Sequence, residues 1–404
     1  MAYKEEDAAP WADLPTPEVL PVARMLAELE TVNVLAPLVR CSKLPFRHLV
    51  SLYDTHVTTT PMILAEEFSR SQPARVSDLS TSANERGVFW MEPRGVGAER
   101  GMAALSLTHP EDAGPSRAHK TYYAPPPHTR LPARLTPPTA RSRLVRGALL
   151  AQLASPNAAS LADAAELIAP HVDGVDINCG CPQRWAYAEG IGCALLRKPE
   201  LVADMVRATK DRLGWGFPVS IKIRVDDDPR ATETLVRNAL AVGVSHITIH
   251  GRTRHQASTE PVSLPAIKFA VGLVGGAVPT VANGDLWELA DAKRMREETG
   301  VDGAMAARGL LANPALFAGY TSTPHHAVEN FVNLADDYGF IFSLFHRHLA
   351  YMLEAHMYKP EKTYFNALAS SVQVIDYLSS RGLDFATPRK IPMWDASRGY
   401  SLLP

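Results

Sequence analysis

The sequence lacks several features that mark special classes of protein. No apolar run reaches the roughly 18 residues that a membrane-spanning helix requires. The four cysteines include no CxxC pair, which argues against a disulfide framework or a zinc ribbon and favours a reducing compartment. The N-terminus, MAYKEEDAAP, is acidic and contains proline, so we expect neither a secretory signal nor a basic transit peptide. These absences predict an intracellular protein of the cytoplasm, the nucleus or both, without membrane attachment.

The sequence also lacks an excess of charge of either sign. The chain has 41 basic and 43 acidic residues and a net charge of -2, which excludes a globally basic nucleic-acid binder but leaves room for a local basic patch. Apolar residues make up 46% and charged residues 21%, a balance that excludes a mostly disordered chain. At ~100–200 residues per domain, 404 residues allow two or three domains.

Eight short β-rich segments recur along the chain, and helical patterns follow most of them. Most of the segments are near-continuous apolar runs, as in parallel strands that are buried on both faces. This alternation predicts an α/β protein with a (β/α)8 TIM barrel. A doubly wound sheet is the alternative, but its first strand is usually followed by a Gly-rich turn, whereas Ala36-Pro37-Leu38 stands here. The predicted strands are Val32–Ala36, His56–Thr60, Ala148–Leu153, Gly174–Asn178, Val219–Ile223, His246–His250, Val278–Ala282 and Asp302–Ala306. The predicted helices between them include Ser160–Pro170, Pro199–Leu213, Ala231–Val242 and Leu286–Glu298.

Two segments fall outside the barrel pattern. Residues 88–147 are rich in proline and carry eight Arg, one Lys and four acidic residues, a net charge of +5, without a convincing element. Because they connect the second helix to the third strand, we expect them at the N-terminal face, opposite the face where barrel chemistry occurs. After residue 320 two helices are predicted, Tyr338–His356 and one that follows Pro360 and stops near Gly382. The predicted organisation is an N-terminal extension 1–31, a barrel 32–320 containing the insertion 88–147, a small helical domain 321–386 and a tail 387–404.

Polar residues, glycine or proline follow seven of the eight predicted strands. The strand ends of a barrel meet on one rim, where functional side chains lie. The turns Asn283-Gly284-Asp285 and Ala307-Arg308-Gly309 let backbone N–H groups approach an anion, and Arg308 adds charge, so we expect a phosphate there. Lys222 and His250 come next around the rim and can stabilise an anionic reduced ring. The pattern predicts a phosphate-bearing cofactor across the barrel mouth; a plain turn, a salt-bridged lysine and a hydrogen-bonded core histidine are the structural alternatives.

Two cysteines after the fourth strand compete for a chemical role. Cys181 precedes Pro182, which fixes the turn, so its side chain can project into the mouth and donate a proton or attack as thiolate. Cys179 is the rival, and a small buried hydrophobe is the alternative for either. A single residue between two cysteines is not a metal-binding spacing, so we expect no metal. Cys41 and Cys193 are expected to be structural.

Basic and aromatic residues crowd the same rim and predict binding of a polyanion there. Trp185 and Tyr187 follow Cys181 and can stack on a flipped base. Solvated surface charge and ordinary packing are the alternatives. The basic residues are Arg40, Lys43, Arg47, Arg184, Arg224, Arg252, Arg254 and Arg308. The expected substrate contacts are Asn178, Trp185, Arg224, Arg252 and Arg254.

Seven segments stand along the chain in the order APLVRCSKLPFRHLV, TTTPMILAEEF, GVDINCGCPQRWAYAEGIGCALL, VSIKIRVDDD, ITIHGRT, VANGDL and GAMAARGLLANPALF. In sequence and in order they resemble segments of the tRNA-dihydrouridine synthases. The form NCGCPQRWAYAEGIG is most similar to the eukaryotic subfamily that acts on positions 20a and 20b of the D-loop. The resemblance covers about residues 31–87 and 148–320, and more weakly 326–380.

The resemblance implies an FMN-binding barrel and a helical domain that helps to bind tRNA. It implies that NADPH or NADH reduces FMN, that the flavin gives a hydride to C6 of a flipped uracil, and that Cys181, the cysteine before proline, protonates C5. We expect a monomer. The implied flavin contacts are the backbone of Pro37, Leu38 and Val39, the side chains of Gln152 and Lys222 at the isoalloxazine, His250 near the ring and phosphate, and Asn283, Gly284, Asp285, Ala307 and Arg308 at the phosphate.

The chain departs from the family pattern after Asn84-Glu85-Arg86-Gly87, where the family usually continues from Asn-Glu-Arg-Pro directly into the third strand. A retained intron in the gene sequence and a genuine insertion whose charge touches RNA are the two hypotheses for residues 88–147. Two other functions also fit parts of the pattern. One is a flavin barrel oxidoreductase acting on a small molecule, such as a dihydroorotate-oxidising enzyme, and the other is a non-catalytic tRNA-binding protein.

Overall fold

Short hydrophobic segments form the barrel strands of the computed structural model, which describes residues 15–95 and 137–385. The predicted tail, the first part of the N-terminal extension and the middle of the insertion lie outside these ranges. The strands are β1 Glu18–Val19, β2 Val32–Leu35, β3 Val57–Thr59, β4 Ile63–Leu64, β5 Val88–Met91, β6 Arg143–Arg146, β7 Ala148–Ala154, β8 Gly174–Cys179, β9 Val219–Arg224, β10 Ile247–His250, β11 Thr280–Asn283 and β12 Gly303–Ala306.

Eight of these strands close into a parallel barrel. The order is β3-β2-β12-β11-β10-β9-β8-β7, and β3 pairs with β7 to complete the ring. Val34 lies opposite Val57 on one side and opposite Met305 on the other. Each barrel strand coincides with one of the eight predicted segments, so the predicted TIM barrel is confirmed.

Helices cover the outside of the barrel, and their apolar faces pack on the outward-facing strand residues. Of the predicted helices, α7 has the predicted ends and α5, α8 and α10 lie within three residues of theirs. The helices are α1 Val22–Glu28, α2 Leu44–Val50, α3 Ala65–Arg70, α4 Gln72–Asp78, α5 Ala158–Ile168, α6 Arg184–Ala188, α7 Pro199–Leu213, α8 Pro229–Ala241, α9 Leu264–Val274, α10 Leu289–Thr299, α11 Arg308–Ala312, α12 His325–Asp337, α13 Phe342–Leu353, α14 Lys359–Ala367 and α15 Ser371–Ser380. Short 3-10 helices lie at Ala83–Arg86, Ala169–His171, Gly192–Arg197, Leu316–Ala318 and Glu354–His356.

The ends of the insertion differ from the prediction, because they form strands. β5 pairs antiparallel with β6, and β6 pairs parallel with β1, which makes a three-stranded sheet. Phe89 and Val145 of this sheet belong to one buried cluster with Val57 and Ala148, which begin two barrel strands. The described parts of the insertion therefore lie at the N-terminal face, as predicted. Strand pairing with β1, far away in sequence, supplies the order that the local pattern does not reveal.

The C-terminal region also departs from its prediction. The single helix expected after Pro360 is two helices, α14 and α15, because the Ser370 hydroxyl accepts the backbone N–H of Gln373 and starts a new helix there. A further helix, α12, precedes those predicted. The region docks beside α2 through polar contacts: Tyr338 Oη lies 2.8 Å from His48 Nδ1, and His348 Nε2 lies 2.9 Å from the carbonyl oxygen of Cys41. No helix in residues 15–95 and 137–385 is long and apolar enough to cross a membrane.

Candidate active site

A cleft of about 450 Å³, measured out to its open mouth, lies at the C-terminal ends of β9 to β12. Its walls include side chains and turns that follow all four strands, so residues far apart in sequence meet on one rim. The main wall residues are Arg224, His250, Arg252, Asn283, Trp287 and Arg308. Across the described ranges, no three His, Cys, Asp or Glu side chains form a group that could hold a metal ion.

The turn after β11 organises the positive side chains of the cleft. Asp285 has a left-handed φ of 46°, and its carboxylate accepts two 2.6 Å hydrogen bonds from Arg252 Nη2 and one from the backbone N–H of Val262. Arg308 Nη2 lies 3.2 Å from the same carboxylate. An anionic side chain would repel a phosphate, so this geometry makes Asp285 the residue that positions the two guanidinium groups.

Arg252 lies on the predicted rim, but a carboxylate already pairs with its guanidinium. It was expected to contact the substrate, but its side chain is buried, and its Nε donates to the carbonyl oxygen of Glu260 at 2.6 Å. Arg47, by contrast, does not line the cleft. Its buried guanidinium is paired with Glu85 at 2.6 Å and holds the chain next to α2. In both cases a carboxylate that is distant in sequence captures the guanidinium.

Electrostatically the cleft is suited to an anion. Burial, together with the charges of Lys222, Arg224, Arg252 and Arg308, lowers the pKa of His250 to about 2, so the imidazole is neutral. Four cations thus surround a neutral ring, with Asp285 as the carboxylate between two of them. A bound anion would relieve their mutual repulsion, and this excess charge fits a phosphate group.

Lys222 is a largely buried cation whose side chain forms no hydrogen bond with the described residues. Its side chain points into the barrel among polar groups, and burial, followed by the charge of Arg224, lowers its pKa to about 8. Within the described part of the chain, Lys222 Nζ makes no hydrogen bond to another residue. A buried ammonium is stabilised by an acceptor, so the position fits the oxygen or nitrogen edge of a bound ring.

The loop after β8 is clamped so that Cys181 stays at the mouth. Asn178 Oδ1 accepts the backbone N–H groups of both Gly180 and Cys181 at 2.9 Å. Arg224 Nε donates to the carbonyl oxygen of Gly180 at 3.0 Å, and its Nη1 donates to that of Thr253. Two of the expected substrate contacts, Asn178 and Arg224, therefore hold the backbone that carries the thiol.

The two rival cysteines occupy different environments. Cys181 is partly exposed in the loop that follows β8, whereas Cys179 points to the outer core and is fully buried. Burial, followed by the charge of Asp176, raises the pKa of Cys179 well above its usual value, which keeps that thiol protonated and inert. Burial also raises the pKa of Cys41, and of Cys193 to about 11, in keeping with structural roles.

The remaining predicted cofactor residues lie on the same rim or just below it. Gln152, inside the barrel, donates Nε2 to Asp176 at 2.8 Å and accepts from Asn178, which leaves one amide N–H unused. Leu38 uses its backbone N–H on Ser42 within the loop after β2. Pro37 and the exposed Val39 lie in the same loop. Elsewhere on the rim, Gly284 has a φ of 135°, Asn283 Nδ2 donates to the carbonyl oxygen of Met305, and Ala307 precedes α11.

Aromatic side chains flank the mouth. Arg254 stacks over the ring of Tyr187, 3.3 Å from its centre, and Trp185 is exposed on the same helix, α6. Trp287, which the sequence did not indicate, lines the cleft with Arg308 5.1 Å from its ring centre. Asp176 was also missed, although it stands two residues before Asn178 on a strand, where alternate residues share a face.

Known proteins are similar to this chain over most of its length. The dihydrouridine synthase (Dus) family model matches residues 132–379. The chain is 41% identical over 354 residues to the mouse tRNA-dihydrouridine(20a/20b) synthase [NAD(P)+]-like protein, covering 87% of this chain and 89% of the relative. It is 39% identical to the human protein of the same name, over 87% and 90% of the two chains. The tRNA-dihydrouridine(20a/20b) synthase [NAD(P)+] of Saccharomyces cerevisiae is 37% identical, over 80% of this chain and 72% of its own. These matches confirm the resemblance seen in the motifs: the chain belongs to the dihydrouridine synthase family.

Proposed function

We propose that this enzyme reduces uridine to 5,6-dihydrouridine at positions 20a and 20b of the tRNA D-loop, with NADPH or NADH as reductant and FMN as cofactor. The observation that carries the proposal is that Arg224, a wall residue of the cationic cleft, also bonds to the loop that carries the partly exposed Cys181. The printed names of the mouse, human and yeast relatives support the substrate and the reductant.

Residues of the cleft fit the FMN phosphate. Arg308 is the exposed cation, and Asp285 keeps it and Arg252 aimed into the cleft. Gly284 and Ala307 lie in turns whose backbone N–H groups can approach an anion closely. His250 is held neutral by burial and by the surrounding cations; since Nε2 faces Arg252 Nη1 at 3.4 Å, its Nδ1 can donate one hydrogen bond without adding charge.

The flavin ring fits beside Lys222 and Gln152, with the backbone of Pro37, Leu38 and Val39 at its edge. Lys222 Nζ has no hydrogen-bond partner among the described residues, and Gln152 keeps one unused N–H, so both can donate to ring acceptors. When bound, FMN supplies the hydride that C6 of the uracil receives. The chain itself supplies the position of the base and one proton.

Cys181 is the proposed proton donor to C5 of the uracil. The clamp formed by Asn178 and Arg224 fixes its backbone, so the thiol needs no rearrangement before it transfers the proton. The exposed Trp185 and the stacked pair of Tyr187 and Arg254 offer flat surfaces for a base that leaves the tRNA stack.

The domain limits given by the sequence accompany this proposal. The barrel of residues 32–320 would carry the chemistry, and the helical domain 321–386 would add tRNA contacts beside the loop after β2. Residues 1–31 and 387–404 would be the extension and the tail. We also propose a monomer that acts in the cytoplasm or nucleus, which size-exclusion chromatography and localisation of the tagged full chain would test.

Nucleoside mass spectrometry of unmodified tRNA, incubated with the enzyme, FMN and NADPH, tests the function. We expect dihydrouridine from the wild type, and a fall of roughly 10²–10⁴-fold for Cys181→Ala, the weight of a positioned general acid. Cys179→Ala, a matched loss of a buried thiol, should stay active. Flavin retained without any product would instead support a small-molecule reductase. Failure to retain flavin would support a non-catalytic tRNA-binding protein.

A further inference from the structure

A buried carboxylate inside the barrel has no role in the steps described above. Asp176 lies on β8, is 4% exposed, and faces the barrel interior between Gln152 on one side and Ser220 on the other. Its Oδ2 accepts from Gln152 Nε2 at 2.8 Å, and its Oδ1 accepts from Ser220 Oγ at 2.8 Å. A carboxylate without full hydrogen bonding is costly in such a place, so its presence calls for a compensating benefit.

From Asp176 a chain of hydrogen bonds runs to the loop of Cys181. Gln152 Oε1 accepts from Asn178 Nδ2 at 2.8 Å, and Asn178 Oδ1 accepts the backbone N–H groups of Gly180 and Cys181. Each link lies between 2.8 and 2.9 Å. The chain thus joins a fixed group in the barrel interior to the backbone of the reactive residue.

The two ends of this chain allow one orientation of both amides. At one end, Asp176 Oδ2 accepts from Gln152 Nε2, so Gln152 turns its oxygen toward Asn178. Backbone N–H groups only donate, so Asn178 must turn its oxygen toward Gly180 and Cys181. Because the demands agree, the amides have no competing flipped state, and chains of this kind strengthen one another in a low-dielectric interior.

We propose that Asp176 is a positioning residue for Cys181, acting through Gln152 and Asn178 to hold the thiol in place for protonation of the substrate. This inference rests on the proposed function for its substrate, and on the hydrogen bonds alone for the positioning itself. Asp176 touches neither the thiol nor the mouth, so its loss should change how well Cys181 is placed and leave its chemical identity intact.

Burial is the largest influence on the Asp176 carboxyl group and raises its pKa above the usual value, although the hydrogen bonds from Gln152 and Ser220 and the charge of Lys222 act to lower it. The positioning role rests on the hydrogen bonds and does not require a charge on Asp176.

Three variants separate hydrogen bonding from charge. Asp176→Leu removes the acceptor, and we expect kcat for dihydrouridine formation to fall roughly 10- to 100-fold, the scale for a side chain displaced by about 1 Å. The KM for tRNA should stay within about threefold, since the binding surface is untouched. Asp176→Asn keeps an oxygen for Gln152 and an NH₂ group for Ser220 Oγ, so it should restore kcat to within about threefold of the wild type. Ser220→Ala, the matched control, removes the other partner of Asp176 and should leave kcat near the wild-type value.

The rate at which iodoacetamide alkylates Cys181, followed by peptide mass spectrometry in the flavin-loaded enzyme, provides a readout without tRNA. We expect this rate to change in Asp176→Leu and to match the wild type in Asp176→Asn. If Asp176→Leu does not fold, Asp176→Ala carries the same expectation. Wild-type kcat and alkylation in Asp176→Leu would overturn the proposal, as would equal losses in Asp176→Leu and Asp176→Asn, which would assign the effect to charge. A wild type that makes no dihydrouridine would sink the proposed function, while the alkylation comparison would still test the positioning.

Discussion

Gly192 lies directly against Cys181, and its replacement by alanine should displace the reactive thiol. A Cβ atom at Gly192 would lie 2.7 Å from Cys181 Cβ and 2.6 Å from its carbonyl oxygen, whereas ordinary contacts begin at 3.4 Å. The loop must therefore move by about 0.7 Å or more. A misplacement of about 1 Å near a reacting group costs on the order of 10²-fold in rate, so we expect Gly192→Ala to lower uridine reduction roughly 30- to 100-fold.

Gly190→Ala is the matched control, two residues away in the same turn. Both glycines have left-handed backbone, with φ of 62° at Gly192 and 76° at Gly190, so alanine adds a similar strain of about 1–2 kcal/mol at either position. A Cβ at Gly190 would meet Pro156 Cβ at 3.5 Å and Lys198 Nζ at 3.7 Å, which are ordinary contacts. The difference between the two variants therefore isolates the displacement of Cys181 from backbone strain.

The assay compares both variants with the wild type in three measurements. They are the bound flavin per chain, the initial rate of dihydrouridine formation in tRNA and the alkylation rate of Cys181. Flavin content should be unchanged in both variants, because Gly192 lies outside the cationic cleft. Equal rates of uridine reduction in Gly192→Ala and Gly190→Ala would refute the reasoning, since contact with Cys181 is what distinguishes them.

Three further changes test other parts of the molecule. In a titration of the flavin-free protein, Arg308→Ala should weaken FMN binding roughly 10- to 100-fold, the weight of one charged hydrogen bond. Arg294→Ala on α10 should leave FMN binding unchanged, and equal FMN affinities in the two variants would contradict the proposed phosphate position. The free energy of unfolding should fall as the pH drops below 6.5, because burial lowers the pKa of His56 to about 3 and of His246 to about 4, so the unfolded chain takes up protons that the folded chain refuses. At pH 5 each histidine should cost about 2 kcal/mol, and His246→Gln should flatten the pH dependence of urea unfolding; an unchanged slope would argue against the buried neutral imidazole. A short Gly–Ser linker in place of residues 96–136 should leave flavin content and uridine reduction unchanged. The two ends of the segment stay together at the face opposite the mouth, because β5 pairs with β6 and Thr139 Oγ1 donates to Glu92 at 2.9 Å. Lost flavin would show that the segment contributes to the barrel.

Local pattern was enough for the barrel and for much of the site. Each barrel strand is a short run of residues that become buried on both faces, and burial is what hydrophobic runs encode. Because parallel strands end on one rim, the sequence alone predicts that Lys222, His250 and Asn283 lie near one another. The choice of Cys181 over Cys179 needed more than pattern, since both follow the same strand. The structure supplies the physical difference, burial of one thiol and exposure of the other.

Partners that are distant in sequence were decided by the tertiary structure. Arg252 was expected to bind substrate, yet Asp285, on the turn of the next strand, captures its guanidinium. β5 becomes a strand because β6, beyond the insertion, pairs with it. The amides of Gln152 and Asn178 take their orientation from a chain of hydrogen bonds that begins at Asp176. This chain exists because β7 and β8 pair and bring the three side chains together. Sequence periodicity reports whether a side chain is buried, and so it determined the architecture and the rim. The tertiary structure determined which charge or hydrogen-bonding group each polar side chain meets, because that choice depends on distances between strands that no local pattern contains.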